Sequence, residues 1–136
     1  MILVYTTQLN EEGDYLVSLG FRENVEPLLK EYKVNLMLVG HQHSYERSCP
    51  VYNGTCAKDG MSGTTHMVVG SAGATHERGN FSNKLGNWSL KHVDDYGFIR
   101  VDANRSRLQV DFVRTNGQGN ISHGQVWDSV NVLPWP

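Results

Sequence analysis

The fold prediction begins from one stretch, Val34-Asn35-Leu36-Met37-Leu38-Val39-Gly40-His41-Gln42-His43-Ser44-Tyr45-Glu46-Arg47. Its first six residues form an almost continuous apolar run, which is typical of a strand buried on both faces. His41 and His43 follow Gly40 at a spacing of two. Because residues two apart in an extended backbone project to the same side, both imidazoles can face one cleft. Gly40 is expected to let the chain turn sharply and bring its backbone close to a bound ion or ligand.

An amphipathic helix is predicted immediately before this strand. The apolar positions that follow the helical pattern i, i+3, i+4, i+7 are Val25, Leu28, Leu29 and Tyr32. Asn24 is the expected N-cap, so Pro27 falls in the first turn, where its missing N–H costs no helical hydrogen bond. A helix that leads into a buried strand indicates an α/β unit. Ligands of open α/β sheets bind beyond the carboxyl ends of strands, which is where His41 and His43 lie.

The rest of the chain is predicted to be mainly β-structure. Strands are expected over residues 1–4, 65–69, 96–101, 108–114 and 126–132, and the alternation in 108–114 predicts an antiparallel strand with one partly solvated face. Residues 5–14 are polar and contain a Gly-Asp breaker, and residues 75–95 are expected to form a long surface loop. The small residues 70–74 predict either a tight loop or a backbone cradle for an anion.

The composition is that of a globular chain rich in loops. Its 136 residues are 39% hydrophobic and 19% charged, with 14 glycines, which suits one domain. The formal net charge of -2 gives no electrostatic footprint for nucleic acid or an anionic membrane surface. No apolar run approaches the roughly 18 to 20 residues that span a bilayer. We therefore expect no nucleic-acid partner and no membrane association, and the sequence predicts no oligomeric state.

Two features indicate a secretory route. The only cysteines, Cys49 and Cys56, flank a segment with the turn-prone pair Asn53-Gly54. Both a local disulfide, worth about 2–3 kcal/mol, and two free buried thiols fit this arrangement. N-x-S/T sequons, more than the composition would give by chance, occur at Asn53, Asn80, Asn87, Asn104 and Asn120. Together these features predict a glycosylated, secreted protein whose signal peptide lies outside this chain.

Residues 40–56, Gly-His-Gln-His-Ser-Tyr-Glu-Arg-Ser-Cys-Pro-Val-Tyr-Asn-Gly-Thr-Cys, closely resemble the last metal-binding block of the purple acid phosphatases. These are secreted members of the calcineurin-like metallophosphoesterase superfamily. The helix and strand before the block resemble the family too, as do Asp95-Tyr96-Gly97 and Val126-Trp127-Asp128-Ser129-Val130. The resemblance implies an α/β fold in which residues 1–136 form the C-terminal part of an αββα sandwich. This incomplete catalytic domain would be mostly β-strands with one clear amphipathic helix.

The resemblance also implies a dinuclear metal site that hydrolyses phosphate monoesters at acidic pH. One ion would be Fe(III) and the other a divalent Zn, Mn or Fe ion, with His41 binding the divalent ion and His43 the ferric ion. Imidazole suits such ions, and two metals about 3.5–4 Å apart can hold a phosphate ester while lowering the pKa of a bound water. Tyr45, Glu46 and Arg47 would either orient the histidines or form a structural ion pair that fixes the loop.

Departures from the family pattern limit what this chain is expected to do alone. Of the five blocks that build the family's site, only the last is present. Residues 13–17 begin like another block, but Val17 stands where the tyrosine ligand belongs and the position in the chain is wrong. Residues 4–7 resemble the stretch just after the V-x-x-H block. We therefore expect the missing N-terminal part of the same domain to be required for activity, and we assign no catalytic residue besides the metal ligands.

The remaining four histidines are assigned no metal, and two alternative functions stay open. His76 could lie near a substrate, whereas His66, His92 and His123 are expected to be structural or surface residues. One alternative function is a phosphodiesterase or nucleotide pyrophosphatase of the same superfamily, since large members share the block. Another is a glycosylated binding or structural module that keeps the fold without activity.

Overall fold

The computed structural model describes residues 4–9, 12–74, 80–115 and 124–136. In chain order the elements are β1 (Gln8–Leu9), α1 (Glu12–Glu31), β2 (Leu36–Val39), β3 (Tyr45–Tyr52), β4 (Thr55–Cys56), β5 (Thr64–Val69), β6 (Asn80–Phe81), a 3-10 turn (Asn83–Leu85), β7 (Ser89–Val93), β8 (Gly97–Ala103), β9 (Leu108–Arg114) and β10 (Val126–Val132). No helix in the described part of the chain is long and apolar enough to cross a membrane.

A five-stranded mixed sheet carries the candidate site. Its order is β2-β5-β3-β4, and β7 also pairs with β3. β2 and β5 are parallel, so their carboxyl ends lie at the same edge, whereas β3 runs antiparallel to β5 and β7. β10, β9 and β8 form a separate three-stranded antiparallel sheet, and β1 pairs with β6.

The five-stranded sheet is covered on both faces. On one side Val4, Tyr5 and Trp88 form a core cluster against which Phe21 and Val25 of α1 pack. On the other side the core joins Met67 of β5 to Val110 of β9 and Val132 of β10. The predicted fold class is therefore confirmed, since mostly β-strands with one helix form mixed sheets packed in layers.

A bulge in β3 explains how one strand serves both cores. The register of β3 against β5 shifts between Arg47 and Pro50. Before the shift, Tyr45 stacks on Phe112 of the three-stranded sheet, with ring centroids 4.1 Å apart. After it, Cys49 and Val51 join the core beneath α1. One extra residue therefore moves the odd-numbered side chains from one face of the sheet to the other.

The helix is longer than predicted. α1 begins at Glu12, so Asn24 is not its N-cap, Pro27 lies inside it, and the supposed Gly-Asp breaker is part of it. Pro27 leaves the Glu23 carbonyl without its intrahelical donor. Glu23 is exposed, so water can bind that carbonyl.

The predicted apolar face of α1 is also partly wrong. Leu28 and Tyr32 are 52% and 72% exposed, whereas the polar Ser18 and Glu26 are buried. Glu26 faces inward because its carboxylate accepts hydrogen bonds from the Tyr5 hydroxyl and the Asn53 N–H. A helical pattern built on apolar residues alone could not include this polar contact.

The strand predictions were mixed. β5, β8, β9 and β10 confirm the predicted strands within two residues at each end, and the pairing of β9 is antiparallel. β2 is not buried on both faces, because Leu38 is 42% exposed, and it lies at the edge of its sheet. The second face of β9 is covered more fully than expected, since Asp111 is buried.

Residues 75–95 are not one long loop. Their described part contains β6, the 3-10 turn and β7, and Trp88 is a core residue rather than part of a surface loop. The expected strand over residues 1–4 lies almost wholly outside the described residues. The long β3, which had not been predicted as a strand, pairs with three others.

Candidate functional site

His41 and His43 lie directly after β2, in the bend that leads to β3. His41 is exposed and His43 is half-buried, whereas Gln42 and Ser44 are fully buried. Exposed and buried side chains thus alternate along residues 41–44, so the two histidines face away from the interior. They lie at the carboxyl ends of the parallel strands β2 and β5. The position expected for a ligand site in such a sheet is therefore the one that the histidines occupy.

The sharp turn after β2 falls on His41 and not on Gly40. His41 has a φ of 87°, in the region that residues with a side chain rarely adopt. Gly40 shows no positive φ, so the expectation that it makes the turn is wrong. A non-glycine residue in such a conformation costs about 1–3 kcal/mol and persists only where surrounding contacts hold it.

Residues 6–8 supply those contacts. The Gln42 side chain donates from Nε2 to the Gln8 carbonyl oxygen at 2.9 Å and accepts from the Thr6 hydroxyl at 2.5 Å. The Ser44 hydroxyl donates to Oε1 of Gln8 at 2.6 Å. Because both buried neighbours of His43 are fixed in this way, the backbone between the two histidines is pre-organised.

Glu46 anchors the same segment from the start of β3. Its buried carboxylate accepts from the Thr7 N–H at 2.8 Å and the Ser89 hydroxyl at 2.6 Å. The Thr7 hydroxyl also donates to it. A buried carboxylate needs several donors to offset its lost hydration. Glu46 therefore holds residues 6–7 and β7 against the strand that follows the histidines.

Arg47 pairs with Asp128 of β10 and not with its neighbour Glu46. Its Nε and Nη2 donate to the two carboxylate oxygens of Asp128 at 2.6 and 3.0 Å, and the Tyr45 hydroxyl donates to Oδ2 at 2.8 Å. Burial and the Asp128 charge raise the pKa of Tyr45. Burial alone would raise the pKa of Asp128, but Arg47 and Tyr45 together hold it below its usual value. Arg47 therefore forms a structural ion pair with Asp128, and a role of Tyr45, Glu46 and Arg47 in orienting the histidines stays a prediction.

The loop after β5 passes directly over the histidine loop. The Gly70 N–H donates to the Ser44 carbonyl at 3.0 Å. A Cβ at Gly70 would lie 1.7 Å from the carbonyl oxygen of Gln42, which no side chain can tolerate. Only glycine allows this approach, and nothing in the local sequence pattern had predicted it. Residues 72–74 then form a bend, as expected for a tight loop.

The donor set for a metal is partial in this part of the molecule. Among the described residues, no group of three or more His, Cys, Asp or Glu side chains is placed to hold a metal ion. His41 and His43 offer two imidazoles, a donor type that suits zinc and iron, but structural and catalytic sites use at least three protein ligands. These residues therefore fit a metal centre as one part of its ligands, and their binding of metal stays a prediction.

The disulfide predicted as one of two options is confirmed. Cys49 and Cys56 are bonded, and the intervening turn has positive φ at Asn53 (49°) and Gly54 (70°). The turn docks on the core, since the Gly54 N–H donates to the Tyr5 hydroxyl at 2.8 Å. A disulfide is compatible with a secretory route.

The remaining predicted residues are placed as follows. The sequon asparagines that the structure describes, all exposed, are Asn53, Asn80, Asn87 and Asn104. Asn120, His76 and His123 lie outside the described residues. As expected, His92 is at the surface and His66 is a buried structural residue. Glycosylation stays a prediction.

Comparisons with known proteins agree with the resemblance. Residues 63–129 match the family model described as iron/zinc purple acid phosphatase-like protein C. The chain is 37% identical over 141 residues to probable inactive purple acid phosphatase 24 of Arabidopsis thaliana, covering 96% of this chain and 22% of that protein. It is 33% identical over 118 residues to a nucleotide pyrophosphatase/phosphodiesterase of Hordeum vulgare, covering 82% and 30%. Purple acid phosphatase PPD1 from yellow lupin (Lupinus luteus) seeds matches with a TM-score of 0.74 and 28% identity, over 97% of this chain and 24% of that one.

The layered sheets and the histidine loop at their edge are thus those of the C-terminal part of a metallophosphoesterase. Within that class, the chain belongs to the purple acid phosphatase family, as residues 40–56 had predicted. It spans about a fifth to a third of the length of these curated relatives, 22% and 30%.

Proposed function

We propose that this chain supplies the last metal-binding block of an enzyme that hydrolyses phosphate monoesters at acidic pH. The observation that best supports this is the outward placement of His41 and His43 between the buried and anchored Gln42 and Ser44. In the complete site His41 would bind a divalent ion (Zn, Mn or Fe) and His43 would bind Fe(III). When bound, such a metal pair would supply an activated water and neutralise charge on the phosphate.

The contribution of this chain to that chemistry is positional. His41 is held in a rarely adopted backbone conformation, and Gln42, Ser44 and Glu46 fasten its surroundings to residues 6–8. Ligands fixed before the metal arrives lose little conformational entropy on binding it. The geometry of the two imidazoles would therefore be set by protein contacts rather than by the metal.

The remaining ligands would come from the missing N-terminal part of the same domain. In support, 96% of this chain matches the Arabidopsis relative but covers only 22% of that protein. We propose that the complete protein is secreted, with glycans on its exposed sequons. Its partner would be a phosphate ester, with no role for nucleic acid or a membrane.

Two alternatives each have one supporting observation. The barley relative is named a nucleotide pyrophosphatase/phosphodiesterase, which favours a diester or pyrophosphate substrate. The Arabidopsis relative is named probable inactive, which favours a glycosylated binding or structural module without catalysis.

The test is hydrolysis by the full-length parent, assayed with 4-nitrophenyl phosphate and bis(4-nitrophenyl) phosphate alongside metal analysis. We expect the monoester to be preferred at acidic pH. Substitution of His41 or His43 with asparagine should reduce kcat and metal affinity by more than about a hundredfold, exceeding the usual effect of losing an outer partner of a ligand. His92→Asn, at an exposed histidine on β7, is the matched control and should change neither.

The outcomes separate the three functions. A preference for the diester would support the phosphodiesterase alternative. A metal-loaded parent that cleaves neither ester would leave the non-catalytic module. Appreciable hydrolysis by the isolated chain would contradict the requirement for the missing part of the domain.

A further inference from the structure

Gln8 of β1 is buried although its side chain is polar, with only 1% of its surface exposed. The side-chain Oε1 accepts a hydrogen bond from the Ser44 hydroxyl at 2.6 Å. Burying an amide group is costly unless the group is hydrogen-bonded. An apolar side chain of the same length would fill this space without that cost. The amide of Gln8 is therefore better explained by the position that it gives to Ser44 than by packing.

Gln8 supports the two neighbours of His43 with different parts of the residue. Its main-chain carbonyl oxygen accepts a hydrogen bond from Nε2 of Gln42 at 2.9 Å, so this bond is retained when the side chain is replaced. The bond from the Ser44 hydroxyl uses the side chain of Gln8 and is lost with it. A substitution at Gln8 thus removes the support that follows His43 and keeps the support that precedes it.

Ser44 is held at its hydroxyl and at its carbonyl. The hydroxyl bonds to Gln8, and the carbonyl oxygen accepts the Gly70 N–H at 3.0 Å. Ser44 is next to His43 in the chain but three residues from His41. Because a shift in one peptide unit affects its nearest neighbours most, loss of the hydroxyl bond should displace the imidazole of His43 more than that of His41.

We propose that Gln8 is a positioning residue whose side chain holds His43 ready for its metal ion and has little effect on the ion at His41. This rests on the proposed function, in which His43 binds Fe(III) and His41 binds a divalent ion. It adds that the affinities for the two ions are set by separate contacts. Gln8 acts on the backbone beside the ligand, so we expect the effect of one neutral hydrogen bond, about threefold to tenfold in affinity.

The experiment measures Fe(III) binding by the metal-free full-length parent and Zn(II) binding by the iron-loaded parent, each against a competing chelator. Gln8→Met keeps the length of the side chain and removes the acceptor. It should weaken Fe(III) binding by about threefold to tenfold and leave Zn(II) binding nearly unchanged. Ser44→Ala removes the donor of the same bond and should have the same effect. The double variant should lose no more than either single variant, because only one bond is broken.

Thr64→Val is the matched control. Thr64 is also buried, and its hydroxyl donates to the Val34 carbonyl at 2.8 Å. It lies at the start of β5, whereas the histidines lie beyond the end of that strand. This variant should lower stability about as much as Gln8→Met and change the affinity for neither ion. Hydrogen exchange in the metal-free parent gives a second readout, since only Gln8→Met should speed exchange in residues 42–45.

The results distinguish this inference from the function on which it rests. Unchanged Fe(III) binding in Gln8→Met, equal losses for both ions, or the same loss in Thr64→Val would overturn the inference, while hydrolysis by the loaded parent would leave the phosphatase function standing. Losses that add in the double variant would overturn the bond to Ser44 as the cause. A selective loss of Fe(III) binding would support the inference even if the loaded parent cleaved no ester. A folded parent that binds neither ion would overturn both.

Discussion

Glu46 accepts hydrogen bonds from both the main-chain N–H and the hydroxyl of Thr7, 39 residues earlier in the chain. Residues 4–7 resemble the stretch that follows the V-x-x-H block of the family, and Glu46 lies three residues after His43. The contact therefore holds Thr7 against the start of β3, just after the histidine loop.

Replacing Glu46 with alanine should lower the free energy of unfolding by about 3 kcal/mol or more, because the Thr7 N–H and the hydroxyls of Thr7 and Ser89 would lose a charged acceptor in the interior. Chemical unfolding followed by circular dichroism measures the change. Glu31→Ala, at the exposed end of α1, is the control and should have little effect. Equal losses for the two variants would show that the Glu46 network contributes little.

Asp128→Asn should lower the free energy of unfolding by about 3–5 kcal/mol, because it leaves the buried guanidinium of Arg47 without its charge partner. Asp102→Asn removes the exposed pair with Arg107 and should cost less than about 1 kcal/mol. Since the pKa of Asp128 is lowered in the folded state, its contribution is present above the ordinary aspartate pKa and is lost as the pH falls below it. A pH titration of stability for the protein and for Asp128→Asn should therefore converge in acid.

Gly70→Ala should displace the histidine loop, because the new Cβ would lie 1.7 Å from the Gln42 carbonyl oxygen. We expect a loss of metal content and of any hydrolytic activity in the full-length parent, together with lower stability. Gly20→Ala is the opposite case, since nothing lies within 4 Å of the added Cβ on α1. That substitution should stabilise the protein by about 0.5–1 kcal/mol and leave metal content unchanged. Normal metal content in Gly70→Ala would contradict the close approach.

His66 should make the protein less stable in mild acid. Both of its ring nitrogens are buried without a hydrogen-bond partner, and burial together with the charge of Arg22 lowers its pKa to about 3. The unfolded chain binds a proton near pH 6.5 that the folded chain excludes. Stability from this group is therefore complete above pH 6.5 and falls by about 1.4 kcal/mol per pH unit between 6.5 and about 3.

The measurement is chemical unfolding at several pH values, with His66→Leu for comparison. In His66→Leu, the free energy of unfolding should lose the part of its pH dependence that is due to His66, about 1.4 kcal/mol per pH unit in that range. Identical slopes for the two proteins would show that His66 is protonated in the folded state.

The sequence alone determined the features that depend on neighbouring residues. Runs rich in strand-forming residues located β5, β8, β9 and β10, because strand propensity is a property of residues close together in the chain. The Asn53-Gly54 pair marked a turn that both residues enter with positive φ. The motif at residues 40–56 was specific enough to indicate the family, whereas metal binding by His41 and His43 stays a prediction.

Only the tertiary structure decided how buried polar groups are satisfied, because their partners are far away in the sequence. Arg47 finds Asp128 in another sheet, and Glu46 finds Thr7. The side chain of Glu26 points inward and accepts a hydrogen bond from Tyr5. A helix pattern based on apolar residues cannot predict this contact. The positive φ of His41 likewise depends on contacts from residues 6–8 and not on Gly40. Local patterns reflect local geometry, whereas the shape of the site depends on contacts that form only once the chain has folded.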